Sequence, residues 1–235
     1  MTSHSFPSAQ ELTQLQTECV AAWHQQPIEN PYHGINELIC EQHECNYRLW
    51  HQEDICRSPD ATAGDIARVK REIDKLNQSR NDLIEKIDDE ISKLINEADI
   101  ERAEDAPINT ETAGSVIDRL SIMALRLYHY REQQERPDLD SKDRQKVLQR
   151  INLCEQQQRD LSLSLQQLLN DLFSGAKQHK VYRQLKMYND PTLNPAIYAA
   201  GNYPSGNYPS GIDASGIDAA VIDASGKKPE PGKKC

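Results

Sequence analysis

Residues 62–98 carry an apolar side chain at nearly every first and fourth position of a heptad, and this repeat constrains the fold more than any other feature of the chain. The positions are Ile66, Val69, Ile73, Leu76, Leu83, Ile87, Ile91 and Leu94. Such a repeat places its apolar side chains on one stripe of a helix. At about 1.5 Å per residue, the segment predicts a helix about 55 Å long that needs other helices to cover the stripe.

The other periodic segments also predict helices. We expect them at residues 8–26, 34–57, 141–174 and 178–188, with one more between Pro107 and Pro137. No segment alternates apolar and polar residues for long enough to predict a strand. Only 37% of residues are hydrophobic and the mean hydropathy is −0.77, which is low for a thick sheet-based core. We therefore predict an all-α fold, an elongated helical bundle in which residues 62–98 and 141–174 form two long heptad-patterned helices of the coiled-coil type.

The C-terminal part of the chain differs from the rest in composition. From Gly201 it advances in units of five residues, GNYPS, GNYPS, GIDAS, GIDAA and VIDAS, followed by GKKPE and PGKKC. Short units rich in Gly, Pro and Ser cannot bury a core. We predict a helical domain at residues 1–198 and a disordered repeat tail at residues 199–235. A tail of this kind could serve assembly or be the substrate of a modifying enzyme.

The charge balance excludes partners that attract positive surfaces. The 235-residue chain has 27 Lys and Arg against 37 Asp and Glu, a net charge of −10, so we expect no nucleic-acid partner. No apolar run approaches the roughly 20 residues that span a bilayer, so we expect no membrane insertion. The N-terminus lacks the basic start and apolar stretch of a secretory signal, which favours a cytoplasmic protein.

The six cysteines contain no Cys-x-x-Cys pair. They lie at positions 19, 40, 45, 56, 154 and 235, so neither a zinc ribbon nor a dithiol redox motif is indicated. We expect most of them to be small buried hydrophobic residues rather than parts of a disulfide framework.

Polar residues interrupt the apolar stripes at several positions. Arg80 occupies a core position of the heptad between Ile73 and Ile87. Its neighbours Asn77 and Asn81 lie on the same helix, and the preceding helix has polar residues on its own stripe: Gln42, Asn46 and Glu53. A buried guanidinium needs partners for its five donors. These residues predict either a polar layer that sets the register of the helices or a ligand pocket inside the bundle.

The histidine spacing does not match a helical metal site. Di-iron bundles use Glu-x-x-His pairs, and none of the seven histidines has a Glu three residues before it; no two histidines are four residues apart. Four residues of the second helix share one face: Glu37, Glu41, Glu44 and His51. A solvated charged face explains this grouping better than a carboxylate-rich site. We therefore expect no metal ion and no cofactor.

The start of the fourth helix, residues 109–119, is typical of an anion-binding helix N-terminus. Gly114 would let a ligand approach the backbone, and Arg119 would add positive charge. The other candidate residues of this segment are Glu111, Thr112, Ser115 and Asp118. The alternative is an ordinary N-cap in which a hydroxyl accepts from the helix's own amides.

Three of these segments resemble a bacterial family called domain of unknown function 4254. The matching runs are Glu41-x-His43-x-x-Asn46-x-x-Leu49-Trp50-His51-x-Glu53-Asp54, Ile73-Asp74-x-Leu76-Asn77-x-x-Arg80-Asn81-Asp82 and Asn109-Thr110-Glu111-Thr112-x-Gly114-Ser115-x-Ile117-Asp118-Arg119-Leu120-Ser121; Tyr128-His129 and Lys186-x-Tyr188 add shorter matches. The resemblance covers residues 20–190 and departs at Ala113, where the family pattern has Pro. It implies no defined activity, but the family's association with surface-polysaccharide genes would suit a sugar phosphate or nucleotide sugar ligand.

We therefore expect a binding protein whose polar pocket takes a small anionic ligand, of the sugar phosphate or nucleotide sugar class, or a partner protein. The candidate residues are Asn46, His51, Glu53, Asn77, Arg80, Asn81, Glu111, Thr112, Ser115, Asp118 and Arg119. In this interpretation Arg80 and Arg119 hold the anion. The alternatives are a self-assembling, homo-oligomeric structural protein with an interaction tail, and a leader-like body whose tail another enzyme modifies. No motif identifies catalytic residues, so binding is favoured over catalysis.

Overall fold

Five α-helices account for most of residues 6–184, the part of the chain that this computed structural model describes. They are α1 (Ala9–Trp23), α2 (Ile35–Arg57), α3 (Ala63–Glu97), α4 (Ala113–Glu135) and α5 (Ser141–Phe173). No β-strand forms within these residues, and Ile108 and Gln178 make an isolated bridge. The prediction of an all-α fold with two long helices is confirmed. The predicted repeat tail lies outside the described residues.

The helix boundaries follow local capping signals. Ser8 and Thr62 begin α1 and α3 with capping boxes, in which each hydroxyl accepts from the amide three residues later and that residue's carboxylate accepts in return. Asp140 caps α5 in the usual way, through its side chain. Pro137 follows the end of α4, and Pro27 and Pro31 occupy the loop before α2. These features explain why the predicted boundaries agree closely with the observed ones.

Helix α4 lies at the centre of the bundle. The long helices α3 and α5 pack chiefly against the helices that precede them, α2 and α4, while α4 also contacts α1, α2 and α3. Its buried residues are accordingly spread around the helix: Ala113, Gly114, Ile117, Leu120, Ser121, Met123, Ala124, Leu125 and Leu127. Among the described residues, no helix combines the length and the hydropathy that a membrane span requires.

The heptad prediction for α3 holds in the middle of the helix. The buried heptad positions are Val69, Ile73, Leu83, Ile87 and Ile91. Ile66 is 44% exposed, so the buried stripe begins only at Val69. Val69 and Ile73 cluster with Leu49 and Cys56 of α2, and this pairing covers the helix without enclosing its first turn.

The predicted helix at residues 178–188 is wrong for residues 178–184, and residues 185–188 lie outside the described part. The chain turns at Gly175, which has a φ of 75° and closely approaches the backbone of Glu101. It then runs along α3 without regular secondary structure. The amide of Gln178 donates to the carbonyl of Pro107, and the guanidinium of Arg183 pairs with Glu85 and Asp89. These tertiary contacts outweigh the segment's local helical pattern.

Candidate functional site

Asp118 of α4 joins the polar residues of three helices. Its Oδ1 accepts hydrogen bonds from Nε2 of Gln42 at 2.6 Å and from Nδ2 of Asn46 at 2.8 Å. Nε of Arg80, on α3, lies 3.9 Å from the same oxygen. The polar residues of α2 and α3 therefore meet at one level, as the interrupted stripes predicted. Gln42 and Asn46 are buried, so their hydrogen bonds to Asp118 offset the free energy of removing their amides from water.

A second set of hydrogen bonds continues this layer into the core. Nδ2 of Asn46 also donates to Oγ of Ser121 at 2.9 Å, and Nδ1 of His43 lies 2.7 Å from the same hydroxyl. His43 is fully buried and stacks on Trp23. Burial lowers the pKa of His43 to about 3, so its ring is neutral at physiological pH. His43 and Ser121 occur in the runs that resemble the family, but the sequence did not mark them as site residues, because they become partners only when α2 and α4 pack together.

An open cleft of about 430 Å³ lies against this layer, between α2, α3 and α4. Its lining residues are Asn46, Leu49, Trp50, Glu53, Arg57, Asn77, Arg80, Ile122 and Leu125. The side chain of Arg80 is 25% exposed, and its Nε is buried without a hydrogen-bond partner among the described residues. The guanidinium therefore retains donor capacity beside an open space.

The rim of the cleft contains an ion pair that a ligand can rearrange. Arg57 lies 3.3 Å from Glu53 and 3.3 Å from Asp54, and its side chain is largely exposed. Trp50 adds an aromatic surface to the lining. Asn81 is half-buried next to Arg80 but lies outside the lining that the described residues form.

The backbone amides at the start of α4 already have partners within the protein. Oγ1 of Thr112 accepts from the amide of Ser115 at 3.2 Å, which is the ordinary N-cap that the sequence left open. The amide of Gly114 donates to Oδ1 of Asp88 on α3 at 2.8 Å, so a buried carboxylate lies at the positive end of the helix. Burial raises the pKa of Asp88, while the bonds from Thr112 and Gly114 oppose the rise.

Arg119 lies away from Arg80. It forms a 2.9 Å ion pair with Glu111 on the surface. It also lines a separate groove formed by α4 and α5, together with Arg126, Gln157 and other residues. The structure therefore brings Asn46, Glu53, Asn77, Arg80 and Asp118 to one site. His51 joins a different cluster, and Glu111, Thr112, Ser115 and Arg119 surround the start of α4.

Three histidines from three helix regions form a further cluster. His24 is the C-cap of α1, His51 lies on α2 and His129 lies on α4. One ring nitrogen of each is within 4.8 Å of those of the other two. Nε2 of each ring is buried and has no hydrogen-bond partner among the described residues.

Aromatic rings hold these imidazoles in place. Tyr128 stacks on His24 with ring centres 4.0 Å apart, and Trp50 stacks on His129 at 4.6 Å. Burial lowers the pKa of His51, and the nearby His24 and His129 act in the same direction. The environment of the His51 ring therefore favours its neutral, metal-binding form. The histidine spacing predicted no metal ion, because spacing rules consider donors on a single helix and these three histidines come from different helix regions.

The family comparison extends across most of this architecture. The family model described as "Protein of unknown function (DUF4254)" matches residues 36–181, more than half of the chain. The chain belongs to the DUF4254 family. The resemblance noted in the sequence is thereby confirmed over a slightly shorter range than residues 20–190. Comparison with curated proteins and with solved structures found no match.

The DUF4254 match includes α2 to α5, and therefore every residue that lines the Arg80 cleft. It also contains His51 and His129, whereas His24 and the rest of α1 precede it. The cleft is thus built entirely within the family match, while the histidine cluster draws one member from outside it.

Proposed function

We propose that this protein binds a small molecule through the Arg80 cleft, and that the ligand carries an anionic group and hydroxyls, as a sugar phosphate or nucleotide sugar does. The observation that carries the proposal is the guanidinium of Arg80, which lines an open cleft and whose Nε, 3.9 Å from Asp118, has no hydrogen-bond partner among the described residues. Arginine is well suited to phosphate and carboxylate oxygens because its planar donors can bind two of them at once.

The composition of the cleft supports an anionic ligand. Its charged lining residues are Arg57, Arg80 and Glu53, so guanidinium groups outnumber carboxylates in the lining, and the carboxylate of Asp118 lies 3.9 Å from Nε of Arg80. A larger groove near the start of α2 contains Glu11, Glu18, Glu90 and Glu97 against a single lysine, and would repel an anion. Local charge therefore favours the Arg80 cleft over the larger groove.

Size and side-chain chemistry support the sugar-linked ligand class. A volume of about 430 Å³ falls in the range of small-ligand sites, about 300–1,000 Å³. Asn77 offers an amide for hydroxyl groups, and Trp50 offers a ring face for a sugar or a base. The association with surface-polysaccharide genes that the resemblance implies is consistent with these features and supports the same ligand class.

Calorimetric titration with a graded set of probes tests this function. The probes are inorganic phosphate, glucose 1-phosphate, UDP-glucose and, as an uncharged control, glucose. We expect the anionic probes to bind and glucose to bind weakly or not at all. Arg80→Gln should weaken binding by about 10- to 100-fold, because a charge-assisted hydrogen bond is lost. The matched control is Arg131→Gln, which removes an exposed arginine paired with Glu155 on α5.

Circular dichroism of each variant separates binding from folding. If Arg80→Gln keeps its helix content but loses the ligand, the cleft is a binding site. If it unfolds the bundle, the polar layer is structural. Equal binding by wild type and Arg80→Gln would contradict the proposal, and failure of every anionic probe would favour a protein partner or an assembly role.

A further inference from the structure

We infer that His24, His51 and His129 form a binding site for a divalent transition-metal ion, with Zn²⁺ the ion that best fits the donors. Three ring nitrogens lie within 4.8 Å of one another, and they come from α1, α2 and α4. Imidazole donors suit zinc and its neighbours, whereas Mg²⁺ and Ca²⁺ prefer oxygen. The site does not depend on the Arg80 cleft ligand.

The hydrogen bonds of two rings leave the correct nitrogen free for a metal. Nδ1 of His24 lies 2.7 Å from the carbonyl oxygen of Val20, and Nδ1 of His129 lies 2.8 Å from a carboxylate oxygen of Glu132. An N–H at each Nδ1 donates to these oxygens, so in the neutral form of both rings Nε2 is the nitrogen that carries the lone pair. Metal-ligating histidines are held in this way by a carbonyl or a carboxylate behind the ring.

An ion explains a feature that the protein atoms do not. Nε2 of all three rings is buried and without a hydrogen-bond partner among the described residues. Burying an acceptor without a partner has a free-energy cost. A proton shared between rings can satisfy at most two of these nitrogens. A single water molecule has only two protons to donate, so it also leaves one nitrogen without a partner. One metal ion can bind all three.

The geometry needs only a modest contraction. Three nitrogens around a tetrahedral Zn²⁺ at about 2.0–2.1 Å lie about 3.3 Å apart. The ring nitrogens now lie within 4.8 Å of one another, and small side-chain rotations can shorten these separations to the distance of about 3.3 Å that Zn²⁺ requires. Tyr128 and Trp50, which stack on two of the rings, restrict other movements. Three protein ligands leave a fourth position for water or a ligand, as in catalytic rather than structural zinc sites.

Equilibrium dialysis of the full chain against ZnCl₂, after removal of metal with EDTA, tests the site. A Cys235→Ser background removes a thiol outside the described residues that could bind Zn²⁺ by itself. We expect one Zn²⁺ per chain. The Zn²⁺ affinity should fall by more than about 100-fold in each of the variants His24→Asn, His51→Asn and His129→Asn. Glu132→Ala removes only the hydrogen-bond partner of a ligand and should lower the Zn²⁺ affinity by about 10- to 100-fold.

The asparagine variants are matched to the hydrogen bonds. Asn places an amide donor near the position of Nδ1, so the contacts to Val20 and Glu132 can persist while Nε2 is lost. The control is His33→Asn, which changes an exposed histidine before α2 and should leave Zn²⁺ binding unchanged. Arg80→Gln should also retain Zn²⁺, which distinguishes failure of this site from failure of the proposed cleft.

X-ray absorption of the zinc-loaded, unaltered protein provides a measurement that needs no variant. Three imidazole nitrogens and no sulfur in the zinc shell would support the site. Sulfur ligation or the absence of stoichiometric Zn²⁺ in the wild type would overturn it. So would a Zn²⁺ affinity in the three asparagine variants equal to that of the wild type.

Discussion

The amide of Gly114 donates a 2.8 Å hydrogen bond to Oδ1 of Asp88, so helix α4 starts directly on a carboxylate of α3. A side chain at position 114 would prevent this approach. A Cβ there would lie 2.8 Å from the carbonyl oxygen of Ile84 and 2.9 Å from Oδ1 of Asp88. The glycine is therefore explained by helix packing, without a ligand.

Gly114→Ala should destabilise the protein despite the better helix propensity of alanine. Overpacking costs about 1–3 kcal/mol, more than the gain of about 1 kcal/mol from propensity. The matched control is Gly64→Ala in α3, where the nearest atom to the new Cβ is 3.7 Å away, and this variant should gain about 0.5–1 kcal/mol. Urea denaturation measures both. Equal stability of the two variants would contradict the packing argument.

Removal of the Asp118 carboxylate should destabilise the fold far more than removal of a surface carboxylate nearby. Asp118→Ala leaves the amide of Gln42 without this acceptor, leaves the amide of Asn46 with only the Ser121 hydroxyl and should cost about 3 kcal/mol. Glu111→Ala breaks only an exposed pair with Arg119 and should cost less than about 1 kcal/mol. Denaturation at equal pH and salt compares them. A small loss for Asp118→Ala would mean that the polar layer contributes little to stability.

Acid should destabilise the protein through His43. Above about pH 6.5 the ring is neutral in both folded and unfolded chains; below it, the unfolded chain takes up a proton that the folded chain, with a pKa of about 3, does not. Stability therefore falls with decreasing pH. Between about pH 7.5 and about pH 5, the wild type should lose about 2 kcal/mol more than His43→Gln. Parallel pH profiles for the two proteins would show that His43 is not the cause.

The cysteines should differ widely in reactivity toward a maleimide in the native state. Cys19, Cys40, Cys45 and Cys154 are buried, as the sequence predicted for most of them, whereas Cys56 is half-buried. Burial raises the pKa of Cys45 to about 11, and the hydrogen bond with Cys19, together with burial, raises the pKa of Cys40, so little thiolate is present at either residue. Among the described cysteines, Cys56 should be labelled first. Peptide mass spectrometry after timed quenching measures the order, and early labelling of Cys40 or Cys45 would contradict it.

The agreement between sequence and site is uneven for a physical reason. The sequence could predict three residues of the site: Arg80, Asn46 and Asp118. They are polar residues on the apolar stripe or near the start of a helix, and buried polar groups need one another as hydrogen-bond partners. Arg119 also stood out, but its position beyond the first turn of α4 directs it to a different groove. The sequence could not show which charged residues share a face of the bundle.

The sequence by itself determined the five helices, most of their ends and the polar interruption of the core, because heptads, caps and prolines act over a few neighbouring residues. Tertiary structure alone decided that residues 178–184 lie along α3 without forming a helix, that Asp88 occupies the start of α4 and that His24, His51 and His129 meet. These contacts join residues far apart in the chain, and their partners exist only after the helices have packed.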